Sequence, residues 1–304
     1  MAASYDFVQL DVFTRTSLAG NPLAIFPDAR GLSDKQMQAL AREMNLSETT
    51  FILPRDPEIE VREGKRVRIF NVAEEMPFAG HPTLGTALYL YSTMPAVTDE
   101  IVLDLNIGKI PVRFTADSTN ASRDGVDGNV FGEMRQRDPE FGLTLARDKI
   151  AAALGIDTKA IASEWPSQVV STGFPFAIVP IRDLKTLTNL NRDMVPVPAH
   201  IEGIGARLCY FLCPQPDKHE ARARMFLYGG EDPATGSAGG CAIAWMVRHG
   251  LTKSDERMVI RQGVEAGRPS EIFARATRKA EDVTNVRVGG HAIEVLSGTV
   301  TLYK

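Results

Sequence analysis

Two stretches of this 304-residue chain, Ala79-Gly80-His81-Pro82-Thr83-Leu84-Gly85-Thr86-Ala87 and Asp232-Pro233-Ala234-Thr235-Gly236-Ser237-Ala238-Gly239-Gly240, are built alike, one in each half. Each sets a polar, potentially reactive side chain beside a Gly/Pro/Thr turn and then opens a run that is apolar on every face. The first run carries Leu84, Ala87, Leu88, Tyr89 and Leu90. The second carries Ala238, Cys241, Ala242, Ile243, Ala244, Trp245, Met246 and Val247 and stops at Gly250. A helix without a polar face is buried in a domain interior. Both runs fall well short of the ~20 apolar residues of a bilayer span, so each is predicted as a rod enclosed by its own strands. The amino end of such a helix offers free backbone N–H groups and the positive end of the helix dipole, a ready site for an anion such as a carboxylate. Two of them predict a site shared between two similar halves.

The chain as a whole narrows the class. Its length predicts about two domains, large enough to bury real cores. Its 34 basic and 38 acidic residues are not gathered into blocks of one sign, which argues against nucleic acid or an anionic membrane as partner. The amino terminus, Met1-Ala2-Ala3-Ser4-Tyr5-Asp6, has neither a basic nor an apolar leader segment, and the expected setting is the cytoplasm. Cys209, Cys213 and Cys241 fit neither a disulfide framework nor a zinc pattern and read as buried thiols.

Patterning places a strand over Tyr5–Phe13, a second over Leu23–Phe26 after the Asn21-Pro22 break, and a helix from Asp34 to Met44 opened by the capping box Ser33/Gln36. Strands follow at Thr49–Leu53, Val67–Phe70, Ile101–Leu105 and Ile110–Phe114, the last two as a pair across Asn106 to Lys109. Between Ala116 and Gly128 the composition turns to Asp, Ser, Asn and Gly, the best domain boundary in the sequence. Beyond it the plan repeats loosely. A helix runs over Leu145–Leu154 with Gly155 as its stop, and strands are expected at Gln168–Ser171, Ala177–Pro180, Arg207–Leu212 and Arg222–Leu227.

Few residues are placed to do chemistry. Glu48 sits where an amphipathic helix meets an apolar strand, so it reads either as a desolvated acid/base or as an ordinary helix-end carboxylate in water. His81, between Gly80 and Pro82, either faces the space in front of the first helix or merely caps and packs. Asp232, before Pro233, either reaches a ligand or caps the second helix. Thr235 and Ser237 either donate to a ligand carboxylate or serve the turn. A phosphate loop is excluded by the lack of its Lys between Gly80 and Thr86, and no Gly-x-Ser-x-Gly elbow occurs. The five histidines, His81, His200, His219, His249 and His291, show no ligand pair at helical spacing, so no metal is expected.

Six segments in order, Leu18–Ala24, Asn45–Phe51, Met76–Ala87, Ser171–Phe176, Glu231–Ala238 and Gln262–Ser270, resemble the phenazine biosynthesis PhzF-like family over essentially the whole chain. The resemblance implies the diaminopimelate epimerase-like fold, α/β (α+β) in class: two similar domains, each a curved, mostly antiparallel sheet wrapped around a central buried helix, with the active site in the cleft between them. It implies domains over 1–118, joined by the final strand within 298–304, and over 119–297. The activity it implies is isomerisation of a small carboxylate-bearing substrate of the trans-2,3-dihydro-3-hydroxyanthranilate type, without metal or organic cofactor. Glu48 would be the general acid/base, His81 and Asp232 would be catalytic partners, and Gly80, Thr235, Gly236 and Ser237 would bind substrate. A homodimer is also implied. Amino-acid epimerases and racemases of the same fold place one cysteine at each helix end. Here the two places hold Ala79-Gly80-His81 and Asp232-Pro233, and Cys241 lies inside the second helix, which disfavours a two-thiol racemase. A ligand-binding relative without turnover is disfavoured too, because none of Glu48, His81, Asp232 and Ser237 is replaced by an inert residue.

Overall fold

A computed structural model describes residues 2–94, 98–116, 125–191, 203, 205–227 and 230–303. The chain divides into two compact units, Met1–Met134 with Gly289–Lys304, and Arg135–Val288. Most of the composition shift taken as a boundary, residues 117–124, lies outside the described residues.

In the first unit β1 (Ala2–Val12) pairs antiparallel with β2 (Asn21–Phe26). Helix α1 (Asp34–Met44) then carries the chain to β3 (Glu48–Ile52), which runs parallel to β2 and sets Leu23 beside Glu48. The capping box forms as expected: Ser33 Oγ accepts from the Gln36 backbone N–H, and the Gln36 side chain accepts from the Ser33 backbone N–H. The helix ends at Asn45 in the left-handed region, φ 52. Its apolar stripe of Met37, Leu40 and Ala41 packs on Phe26, Phe51 and Phe70. After α2 (Pro57–Glu63), β4 (Lys65–Phe70) pairs antiparallel with β3, and the short β5 (Glu75–Met76) folds back on β4. Helix α3 (Gly80–Thr93) leads to β6 (Glu100–Leu105), parallel to β4, and then β7 (Gly108–Ala116) and β8 (Val130–Arg135) follow antiparallel. The carboxy-terminal strand, Ala292–Tyr303, pairs antiparallel along the whole of β1.

The second unit repeats this order. β9 (Glu140–Leu145), α4 (Arg147–Leu154), β10 (Ser167–Ser171) and β11 (Pro175–Pro180) come first, with β10 between β9 and β11 in antiparallel pairings. Helix α5 (Leu184–Thr188) precedes β12 (Leu208–Gln215), which is parallel to β11 as β3 is to β2. β13 (Glu220–Arg224) pairs antiparallel with β12, and the strand expected over Arg222–Leu227 is broken after Arg224, where β14 (Phe226–Leu227) turns away to pair with β15 (Gly230–Glu231). Helix α6 (Gly236–Arg248) then leads to β16 (Met258–Gln262), parallel to β13 as β6 is to β4, followed by β17 (Ser270–Lys279) and β18 (Asp282–Gly290). Each unit therefore threads its apolar helix through a parallel crossover in an otherwise largely antiparallel sheet.

The two central helices are the cores of their units. α3 packs on β1, β2, β3 and β6, and α6 on β10, β11, β12 and β17. Leu84, Ala87 and Leu88 of α3, and Ile243, Trp245 and Met246 of α6, are fully buried. Each large apolar side chain so buried contributes about 1.5–3 kcal/mol. Close approach is enforced by small residues: a Cβ on Gly85 would stand 2.7 Å from both Leu23 and Val12 side chains. Among the described residues no helix is long and apolar enough to cross a membrane.

Candidate active site

In the first unit three chain segments begin at one place. β2 opens at Asn21-Pro22, β3 opens at Glu48 beside Leu23, and α3 opens at Gly80-His81. Glu48 is a strand residue, so the helix-end reading fails; its side chain is 19 % exposed. His81 Nε2 lies 3.5 Å from Glu48 Oε2. Burial drives the imidazole pKa down from 6.5 to about 3, opposed by a hydrogen bond to the backbone of Pro22. Proline has no backbone N–H, so Pro22 accepts through its carbonyl and the ring donates. The neutral ring has one N–H, which goes to Pro22, so the buried Nε2 faces Glu48 as a bare acceptor without a hydrogen-bond partner. At the helix start no side chain caps the first turn, and Pro82 adds no donor. The backbone N–H groups of Gly80 and His81 are the donors that this end of α3 presents.

In the second unit the helix end is built differently. The N-cap of α6 is Thr235, not Asp232, so Asp232 is not a plain helix cap. Asp232 is buried and accepts from the Thr235 hydroxyl at Oδ2, 2.6 Å away. Gln262, the last residue of β16 and wholly buried, holds this turn with both ends of its amide. Its Oε1 accepts from the Thr235 backbone N–H (3.1 Å) and from the Tyr210 hydroxyl (2.9 Å). Its Nε2 donates to the Asp232 carbonyl (2.7 Å) and to Thr235 Oγ1 (2.9 Å). Burial, reinforced by the charge of Asp232, pushes the Tyr210 hydroxyl well above its usual range, so it stays a donor. Gly236 opens the helix, buried, and Ser237 follows half-buried at the second helical position.

The structure thus brings Glu48, His81 and Gly80 together in the first unit, and Asp232, Thr235, Gly236 and Ser237 in the second. Gln262 and Tyr210 were missed as site residues. Gln262 opened the last of the family-like segments, but a lone Gln carries no signal that its amide will be saturated by a turn thirty residues earlier. All three cysteines are buried, and burial raises Cys241 to about 11. Its thiol lies 3.4 Å from Thr172 Oγ1 inside α6, unsuited to exchange protons with a ligand. Among the described residues no three His, Cys, Asp or Glu side chains gather in a way that would hold a metal ion.

The family model for phenazine biosynthesis-like proteins, PhzC-PhzF, matches residues 10–298. The chain is 36 % identical to the trans-2,3-dihydro-3-hydroxyanthranilate isomerase of Pseudomonas chlororaphis, over 98 % of this chain and 100 % of that one. Among solved structures, a predicted epimerase from Pseudomonas aeruginosa superposes with a TM-score of 0.79 at 31 % identity, covering 99 % of this chain and 100 % of the other. A hydroxyproline epimerase from Agrobacterium vitis superposes at 0.63 with 12 % identity, covering 99 % and 93 %, which shows a shared fold. The fold is therefore the epimerase-like one expected from the six segments, and the full-length relatives make the chain an isomerase. The chain belongs to the phenazine biosynthesis-like PhzC-PhzF family.

Proposed function

We propose that this isomerase shifts a proton between carbons of a small carboxylate-bearing substrate, of the trans-2,3-dihydro-3-hydroxyanthranilate type, with Glu48 as the single acid/base. The observation that carries the reading is the contact of Glu48 with a neutral, buried imidazole at the opening of an uncapped helix. Ionised Glu48 takes a proton from a ring carbon, and the C–H electron pair moves into the conjugated system. The carboxylic acid so formed exchanges its proton with solvent and delivers one at another carbon, so the reaction consumes nothing. His81, lacking charge, offers the acid form of Glu48 an acceptor at Nε2 and leaves the backbone donors of the helix end free for an anion. The helix end of Gly236 and Ser237, with Asp232 and Thr235, is proposed to bind polar groups of the substrate. The homodimer and the cytoplasmic setting expected from the sequence belong to the same proposal; light scattering of the purified chain tests the first and cell fractionation the second.

Incubation with trans-2,3-dihydro-3-hydroxyanthranilate in heavy water tests the chemistry. Isomerised product carrying one solvent deuterium is the expected result. Turnover of amino acids, with deuterium at the α-carbon and none of this product, would replace the proposal by epimerisation.

A further inference from the structure

We propose that Gln262 is a positioning residue that acts through Thr235 on Asp232 and on the amino end of α6. The inference rests on the reading that Asp232 and Thr235 belong to the substrate site. Three observations carry it, all within the second unit.

The first is saturation. A primary amide has two N–H donors and two acceptor lone pairs, and every one is used by a buried partner: Tyr210 hydroxyl, Thr235 N–H, Asp232 carbonyl and Thr235 Oγ1. The second is direction. The Tyr210 hydroxyl and the Thr235 N–H both need an acceptor, so Oε1 faces them and Nε2 faces Asp232 and Thr235 Oγ1. Thr235 Oγ1 then accepts from Nε2, and its own proton points to Asp232 Oδ2. One donor direction runs from Gln262 through Thr235 to the carboxylate. The third is backbone contact. Gly263, with φ +75, has no room for a side chain: a Cβ there would lie 2.5 Å from the Pro233 carbonyl oxygen and collide with the Arg268 carbonyl oxygen. The strand end thus meets the Asp232-Pro233 turn with backbone as well as side chain. A packing role alone would be filled as well by a leucine. Replacing a saturated amide by one leaves four buried polar groups short of a partner and frees the Thr235 hydroxyl to turn from the carboxylate.

The test is a double-mutant cycle, read as turnover of trans-2,3-dihydro-3-hydroxyanthranilate, together with amide exchange. Gln262→Leu is expected to lower kcat by about 10²-fold, the loss that follows when a reacting constellation is displaced by about 1 Å. In an Asp232→Asn background the same change is expected to cost no more than about twofold, because the group it positions is already altered. Thr235→Val is expected to lower kcat as Gln262→Leu does, and Thr235→Ser, which restores the hydroxyl, to recover most of that loss. A wild-type kcat in Gln262→Leu, or an undiminished loss in the Asp232→Asn background, would overturn the proposal. If Gln262→Leu does not fold, the near-isosteric Gln262→Glu, which sets an oxygen against the Asp232 carbonyl, carries the same expectations. Should Asp232→Asn alone keep wild-type turnover, or the wild type not turn this compound over, the site reading fails and amide exchange decides the positioning role by itself. Loss of protection at the Thr235 N–H, with exchange elsewhere unchanged, supports it, and retained protection there overturns it.

Discussion

The amino ends of α3 and α6 are the same device in two states of completion. Neither end has a side-chain cap, but the end of α6 is closed: Gln262 saturates the turn that opens it, and Asp232 is tied by a short hydrogen bond. The end of α3 is open: a buried imidazole nitrogen faces Glu48 with no hydrogen-bond partner. A buried acceptor without a partner costs about 1–3 kcal/mol, so it persists only where the surrounding structure holds it in place. Such unmet capacity marks where a proton can be received and returned, whereas a saturated network marks where a group is held still. On this comparison the proton shift is proposed for the open end of α3, and the closed end of α6 holds its polar groups still.

Removing the proposed acid/base gives the largest expected effect. Glu48→Gln keeps the shape of the side chain and its contact with His81, and it should lower deuterium incorporation by about 10²–10⁴-fold with the thermal unfolding midpoint unchanged. Retained incorporation would move the chemistry away from the open helix end. His81 gives a smaller effect, read in stability. Its pKa is 6.5 unfolded and about 3 folded, so below pH 6.5 the unfolded chain takes up a proton that the folded chain refuses. Stability is therefore lost on acidification through that window, by about 1.4 kcal/mol for each pH unit well below the unfolded value. Urea unfolding at about pH 7 and about pH 5 should differ by about 2 kcal/mol more in the wild type than in His81→Gln. The smallest effect is expected at Cys241, whose thiol lies within α6. Cys241→Ala should leave turnover within about twofold and cost about 1 kcal/mol in unfolding. A large loss of turnover there would bring the thiol chemistry back.

What was legible before folding follows from strength of local signal. The capping box at Ser33 and the Gly155 stop fixed helix ends to the residue or nearly so, because both act within a single turn. The apolar runs from Leu84 and Ala238 announced buried helices because no face was left for water. By contrast β17 alternates inward Ser270, Ile272, Ala274 and Ala276 with outward Glu271, Phe273, Arg275 and Thr277, and three small inward residues beside an outward Phe give too little apolar contrast to stand out. β8, β9 and β18 also lie outside the expected strands, and β14 falls within the strand expected over Arg222–Leu227 because the chain's turn after Arg224 leaves no mark in composition. The buried pair Arg224–Glu231 at that turn, 2.7 Å long with further donation from Arg224 to the Leu187, Thr188 and Leu190 carbonyls, is set by chain crossings that no local pattern records.

The sequence by itself determined the two apolar helices, their uncapped or Gly-opened ends and the residue types beside them, because helix burial, turn preference and side-chain chemistry are properties of short segments. Tertiary structure alone decided what those residues are. It set Glu48 against His81 by running β3 parallel to β2, left the imidazole neutral by burying it, and bound Asp232 into a closed network by bringing Gln262 back from β16. A side chain's protonation and hydrogen-bond direction depend on neighbours within a few ångströms, and in this chain those neighbours lie about thirty residues away.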